Sequence, residues 1–215
     1  MVEMIVRSFT DADRDPLLEL FTRAGAGSPT GELWGHPASE AAVYLTPYME
    51  LEPGSLFLAQ TDRGLVGYLT GCLDSFAFPS ESERLDGAIR AFGLMRDRRA
   101  IRFFARATKD MIGAKIRSEP TADGDLADPR WPAHLHINVA EEARGTGAAD
   151  QLMASWFERL AGNDSPGCHL QTVVENTRAV RFFERMGFAK HGPTPLVPGL
   201  RHEGHRLRQQ TMTRP

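Results

Sequence analysis

The chain has 215 residues, 41% of them apolar and 25% charged, a composition of folded globular proteins that excludes disordered and fibrous classes. Its 25 Lys and Arg against 28 Asp and Glu leave a net charge of −3, so no overall basic field marks nucleic acid as a partner. Two cysteines, Cys72 and Cys168, are too few for a disulfide framework or a Cys-rich zinc site and point to a reduced, cytoplasmic setting; no apolar run is long enough to span a membrane, and the first residues lack a signal-peptide core.

In chain order, Met4, Ile5 and Val6 read as a first strand, and residues 10–13 as a capping box opening a helix through Leu17, Leu18, Leu20 and Phe21 that ends in glycine. Four glycines and two prolines make residues 25–37 a loop, and residues 38–51 read as a second helix. Residues 56–59 and 65–69 form a hairpin around a turn at 61–64. The helical pattern of 81–117 and the proline-punctuated stretch 120–132 mark residues 75–130 as a helical insertion between the third and fourth strands. A strand over 134–139 then runs through a glycine turn into a helix with the apolar stripe Ala149, Leu152, Met153, Trp156 and Leu160. Residues 169–174 are the next strand, Asn176 caps a helix carrying Ala179, Val180 and Phe183, Gly187 stops it, and residues 205–213 supply a last strand after a Pro-rich loop. The alternation implies an α/β fold with helices on both faces of a mixed sheet, the whole of residues 1–215 forming one domain. Cys72 and Cys168 fall within strands and are expected to fill core.

The segment Arg144-Gly145-Thr146-Gly147 joins a strand to an amphipathic helix. Such a junction presents unpaired N–H groups and the positive end of the helix dipole, and glycines let an anion approach the backbone. No Gly-Lys-Ser/Thr follows, and the third glycine of a dinucleotide fingerprint is missing. A glycine turn that only packs strand against helix has the same pattern.

Glu142-Ala143-Arg144-Gly145-Thr146-Gly147, followed by Asn176, Ala179, Phe183, Gly187 and Phe188 at fixed spacing, resembles the two signature segments of the GNAT superfamily of acetyl-CoA-dependent N-acetyltransferases. The insertion, residues 33–37 and the His134-Leu135-His136-Ile137 run are similar, more narrowly, to the acetyltransferase-like domain associated with O-GlcNAcases. The resemblance implies a GNAT-like mixed sheet, acetyl-CoA as cosubstrate, and an amine-bearing small molecule or a lysine or N-terminal peptide as acceptor. It implies that backbone amides of Arg144, Gly145, Thr146, Gly147, Ala148 and Ala149 hold the pyrophosphate. Ile137, Asn138 and Val139 would pair with the pantetheine arm, the Val139 amide would face the thioester, and Asn176 would lie nearby.

Glu142 stands where the family has Gln or Arg, and Phe183 where it commonly has a tyrosine that protonates the departing thiolate. The amine also needs a base. His134 and His136 share a strand face with Asn138, and Asp74 ends the third strand; these are the candidates. Residues Glu32, Trp34 and His36 would wall the acceptor site. His202 and His205 lack further ligands nearby in sequence, so no metal is expected. The insertion carries ten basic residues against five acidic ones over 80–117; Arg98, Arg102 and Arg106 read as a solvated face, with Ile101, Phe104, Thr108 and Ile112 toward the core. Two alternatives stay open: an acetyl-CoA-binding pseudo-acetyltransferase acting as sensor or interaction module, and a domain whose glycine turn binds another phosphate ligand.

Overall fold

A computed structural model describes residues 4–25, 33–122, 124 and 126–215. The strands are β1 (Ile5–Ser8), β2 (Leu56–Thr61), β3 (Gly64–Cys72), β4 (Ala133–Val139), β5 (Cys168–Val173), β6 (Ala189–His191), β7 (Leu196–His202) and β8 (His205–Arg214). The helices are α1 (Arg14–Gly25), α2 (Pro37–Tyr44), α3 (Thr46–Leu51), α4 (Glu81–Phe92), α5 (Arg98–Ile116), α6 (Ala148–Ala161) and α7 (Thr177–Arg185). The sheet runs β1-β2-β3-β4-β5-β8-β6, with β7 on β8. Every pairing is antiparallel except β4 with β5.

Each face of the sheet carries its own apolar layer, because side chains alternate along a strand. Leu152, Met153, Trp156 and Leu160 of α6 pack with Leu135, Leu170 and Met212 on one face, and Phe183 and Phe188 close that layer. On the other, Leu17 and Leu20 of α1 and Tyr48 and Met49 of α3 pack against Leu58, Tyr68 and Cys72. Both cysteines are buried, and burial pushes the thiols up to about 12 for Cys72 and about 11 for Cys168, as inert core sulfur requires.

The single helix expected over 38–51 is two helices that break at Leu45 (φ −133°). Pro47 has no N–H to give the carbonyl of Val43, which instead accepts from Arg84 Nη1 at 2.6 Å. The break turns Tyr48 onto the sheet, and that is decisive for the site described below. The insertion is likewise two helices, α4 ending at Gly93 (φ +59°) and α5 capped by Asp97, whose carboxylate accepts from the N–H groups of Arg99 and Ala100.

The expected facing of α5 is corrected. Ala100, Asp110 and Ala114 are its buried residues, with Phe103 and Phe104 half-buried, whereas Ile101, Thr108 and Ile112 are exposed. The helix rotates because Asp110 is drawn inward by β7, where it accepts from the Gly199 N–H at 2.9 Å and Arg201 Nη2 at 2.7 Å. The run 192–199 reads as a Pro-rich loop, yet its second half belongs to β7; a strand there needs Gly199 at φ +81°, where any Cβ would lie 2.9 Å from that of Ala107.

The Arg201 guanidinium holds the Asp110 carboxyl below its usual range, and Arg7 does the same for Asp13 through two bonds of 2.7 and 2.6 Å. A depressed carboxylate contributes stability that is complete above its unfolded value, about 4, and disappears as pH falls through the folded one. The thermal midpoint is therefore expected to stay level from neutral pH to about 5 and to drop below about 4. Asp110→Asn should melt lower at neutral pH and lose less on acidification; an unchanged acid slope in that variant would show that Asp110 is not one of the groups responsible.

Candidate functional site

β4 and β5 are paired only at Ala133 with Cys168 and His134 with His169, after which they splay. The Ala140 N–H donates toward β3 (to Val66 O, 2.8 Å) and the Ala133 N–H toward β5 (to Gly167 O, 3.4 Å). Alternation between these two points turns the N–H and C=O groups of Leu135, Ile137 and Val139 into the gap. A cavity of about 670 Å³ fills the gap, lined by residues 135–139 of β4, 170–173 of β5, the turn before α6 and one face of α7.

Gly145 (φ +83°) and Gly147 (φ +90°) build that turn in the left-handed region, and a Cβ on either would meet no heavy atom within 4 Å. Among the described residues, the N–H groups of Ala148, Ala149 and Asp150, at the N-terminus of α6, have no acceptor in the protein. The Arg144 side chain is exposed, and the residue lines the cavity with Gly145, Gly147, Ala148 and Ala149; Thr146 does not, because its hydroxyl folds back to donate to Ala143 O at 2.8 Å. An open cradle of free amides at a helix N-terminus, with space where side chains would otherwise stand, fits a phosphate group.

On α7, Asn176 Oδ1 caps the helix by accepting from the Ala179 N–H at 3.2 Å, and the residue also lines the cavity. Phe183 lines it too, packed edge-on to Phe182 and Phe188, and brings no proton to the site.

A second cavity, of about 290 Å³, opens on the opposite face of the sheet. Phe21, Leu33, Tyr44, Tyr68 and Leu200 give it apolar and aromatic walls, Glu40 and Glu81 add carboxylates, and no Lys or Arg is among its described lining residues. The two cavities share His136, Asn138, Gln171, Thr172 and Val173, so they meet where β4 and β5 part.

Of the three candidate bases, only His136 lines these cavities. His134 is 2% exposed, with Nε2 2.8 Å from the Tyr48 hydroxyl and Nδ1 2.6 Å from that of Ser75. Asp74 is exposed beyond the far end of β3, where its carboxylate accepts from the Phe76 N–H. His136 Nε2 lies 3.1 Å from the same Tyr48 hydroxyl, and Asn138 Nδ2 donates to the Tyr68 hydroxyl at 2.9 Å.

The 33–37 loop contributes Leu33 and Pro37 to the second cavity, but not Trp34 or His36. Trp34 is buried among Tyr44, Phe103 and Phe104 and donates to Ser39, while His36 caps α2 through Nδ1. The Glu40 carboxylate fixes the loop by accepting from the N–H groups of Trp34, Gly35 and His36. Glu32, with Gly27, Pro29 and Gly31, lies outside the described residues. Tyr48 and Tyr68 escaped sequence reasoning because an aromatic residue in an apolar run reads as core; the one available signal for Tyr48 was Pro47 beside it.

Residues 99–190, which span α5 to α7, match the acetyltransferase (GNAT) domain model. Along nearly its whole length the chain is similar to many solved structures, among them the following three. SsHAT shares 22% identity at a TM-score of 0.60, covering 99% of this chain and 98% of that one. The ribosomal-protein-alanine N-acetyltransferase of Brucella melitensis shares 16% identity at 0.59, with 98% of each chain covered. YncA of Salmonella typhimurium, solved with its cofactor acetyl-CoA, shares 14% at 0.57 over 98% of this chain and 92% of that one. The fold is the GNAT acetyltransferase fold. Within this GNAT fold, the matched residues contain the splayed strand, the glycine turn and α7, while Tyr48, Tyr68 and the wall of the second cavity formed by α1 and α2 lie outside them.

Proposed function

We propose that this protein is an acetyl-CoA-dependent N-acetyltransferase that passes acetyl directly to an amine. The observation that carries this reading is the meeting of two cavities, one from each face of the sheet, where β4 has parted from β5. Acetyl-CoA, when bound, supplies an acetyl group activated as a thioester. The amides of Gly145 and Gly147 to Asp150, with Arg144, would hold its phosphates, and the inward N–H and C=O groups of Leu135, Ile137 and Val139 would pair with its arm as an added strand does. Asn176 keeps Nδ2 for that arm while Oδ1 caps α7.

The Ile137 N–H, flanked by the two β4 residues that both cavities share, is our choice for the donor to the thioester oxygen, where negative charge develops. The expected donor Val139 is one step closer to the glycine turn. The second cavity, apolar with carboxylates and with no Lys or Arg among its described lining residues, suits a positively charged amine, small or at the end of a peptide. His136 takes the proton that the amine must lose. The protein acts as one domain with residues 75–130 as its insertion, in the cytoplasm, and the run from His134 to Ile137 supports a kinship with the O-GlcNAcase-associated domains.

Phe183 favours a second reading, an acetyl-CoA sensor without turnover, because its phenyl ring lines the groove and has no proton to give the thiolate. A thiol with a pKa near about 8.5 leaves tolerably without help, so the enzyme reading is retained. Initial-rate kinetics test the direct step. Intersecting lines in acetyl-CoA and amine are expected; parallel lines, which accompany an acylated enzyme, would contradict it.

A further inference from the structure

The two carboxylates of the second cavity stand apart from the acetyl-CoA groove. Glu40 lies in α2 and Glu81 opens α4, and neither helix lines the first cavity. Glu40 is only 6% exposed. Its Oε1 accepts from the three loop N–H groups, so among the described residues Oε2 has no donor. Tyr44, one turn from Glu40 on the same face of α2, gives its hydroxyl proton to Glu81 Oε1 at 2.6 Å, which leaves Glu81 Oε2 without a described donor as well. Burial and the charges of Glu81 and Glu40 hold the Tyr44 phenol well above its ordinary range, so it stays a donor. Arg84, one turn further along α4, is not among the residues that line the cavity; its Nη1 donates to Val43 O at 2.6 Å.

A carboxylate withdrawn from water is costly unless a cation meets it, and the rings of Phe21, Tyr44 and Tyr68 in the same wall add faces that attract one. That cation is not the nitrogen that receives acetyl. An amine attacks a thioester only after losing its proton, and neighbouring carboxylates favour the charged form and oppose that loss. The acetyl group, moreover, meets the second cavity at residues of β4 and β5, which both cavities share, and not at α2 or α4. We infer that Glu40 and Glu81 bind a second nitrogen of the acceptor, one that stays charged, and that the substrate is therefore a small diamine. One nitrogen is acetylated at the sheet, the other rests on α2 and α4, and the apolar walls from Phe21, Leu33 and Leu200 take the carbon chain between them. A cavity of about 290 Å³, at the lower end of the range for small-molecule sites, fits an acceptor of that size. The inference rests on the acetyl-transfer reading for the nitrogen that reacts, and on the cavity alone for the one that stays charged.

Cadaverine against n-pentylamine, which has the same carbon chain and one nitrogen fewer, isolates the second charge; putrescine and hexamethylenediamine, each against its own monoamine, extend the comparison to shorter and longer chains. The wild type should show a kcat/KM about tenfold or more higher for the best diamine than for its monoamine, the effect of one charge-assisted hydrogen bond. Glu81→Gln keeps an acceptor for the Tyr44 hydroxyl and removes the charge. It should lower kcat/KM for that diamine about tenfold, leave the monoamine as it was, and leave KM for acetyl-CoA unchanged. A Glu81 that only supports the fold would slow both acceptors alike. Glu40→Gln should act as Glu81→Gln does; if the loop it fixes loosens, the Glu81 variant decides alone. Equal kcat/KM for diamine and monoamine at all three lengths, or a loss in Glu81→Gln shared by both, overturns the proposal. Calorimetric titration of cadaverine into the protein reads the cation site without turnover: saturable binding that Glu81→Gln weakens about tenfold is expected, and no saturable binding overturns it. A wild type that acetylates no amine yet binds cadaverine through Glu81 would remove the acetyl-transfer reading and leave the cation site, whereas acetylation with no preference for a second charge removes the diamine alone.

Discussion

Gly147→Val is expected to weaken acetyl-CoA binding about 100-fold or more, a loss of roughly 3 kcal/mol, while the protein stays folded. Two effects add. At φ +90° a β-branched residue is strained, and its Cβ would enter the open space beside the free amides of Ala148, Ala149 and Asp150, where a phosphate oxygen has to sit. Relaxation toward a negative φ would re-aim those amides. Gly204, in the β7–β8 turn, supplies the control: at φ +81°, with equally open surroundings, its change to valine carries the same strain at a residue that lines neither cavity. Calorimetric titration of both variants separates strain from site. Unchanged affinity in folded Gly147→Val would show that the turn does not hold the phosphates.

The largest stability effect is expected at Gly71. This β3 residue faces the indole of Trp156, and an added Cβ would come within 2.2 Å of Cζ3 and 2.7 Å of Cε3. Trp156 is fully buried, so it has no free direction in which to retreat. Gly71→Ala should therefore cost about 3 kcal/mol, the upper end of the usual overpacking penalty, and lower the thermal midpoint by roughly 6–12 °C. The same contact holds α6 against the sheet, so the folded fraction should also bind acetyl-CoA more weakly, its glycine turn having moved away from β4. Urea unfolding measures the first effect. A loss below about 1 kcal/mol would mean that the helix can shift freely, and that the turn is not positioned by this contact.

The fold was legible where the local signal and the tertiary outcome coincide. The strand from His134 to Val139, the glycine turn, the stripe of α6 and the Asn176 cap are each dictated within a few residues, and each stands where its sequence places it. Residues 38–51 and 101–112 were misjudged for another reason. Their apolar patterns permit a continuous helix and an inward Ile101, but Pro47 removes one backbone bond, and Asp110, bound by Gly199 and Arg201 of a distant strand, sets the rotation of α5. β7 was missed because Pro198 and Gly199 read as loop, although an edge strand tolerates both.

The site divides along the same line. The expected groove residues line one cavity, apart from Thr146, because most of them are contiguous backbone of β4 and of the turn before α6. His134, by contrast, is buried against groups from other elements, the hydroxyls of Tyr48 and Ser75. Sequence spacing placed His134 and His136 on one face; it carried no information on which of them the helix break would bury.

The most direct test of the account is the release of free thiol from acetyl-CoA in the presence of a panel of small amines and lysine or N-terminal peptides, with the acetylated product weighed by mass spectrometry. At least one amine is expected to give thiol and N-acetyl product in equal amounts, at a rate that His136→Ala lowers about 100-fold. Thiol release no faster than spontaneous hydrolysis across the panel, in protein that binds acetyl-CoA, would contradict the enzyme and leave the sensor reading in its place.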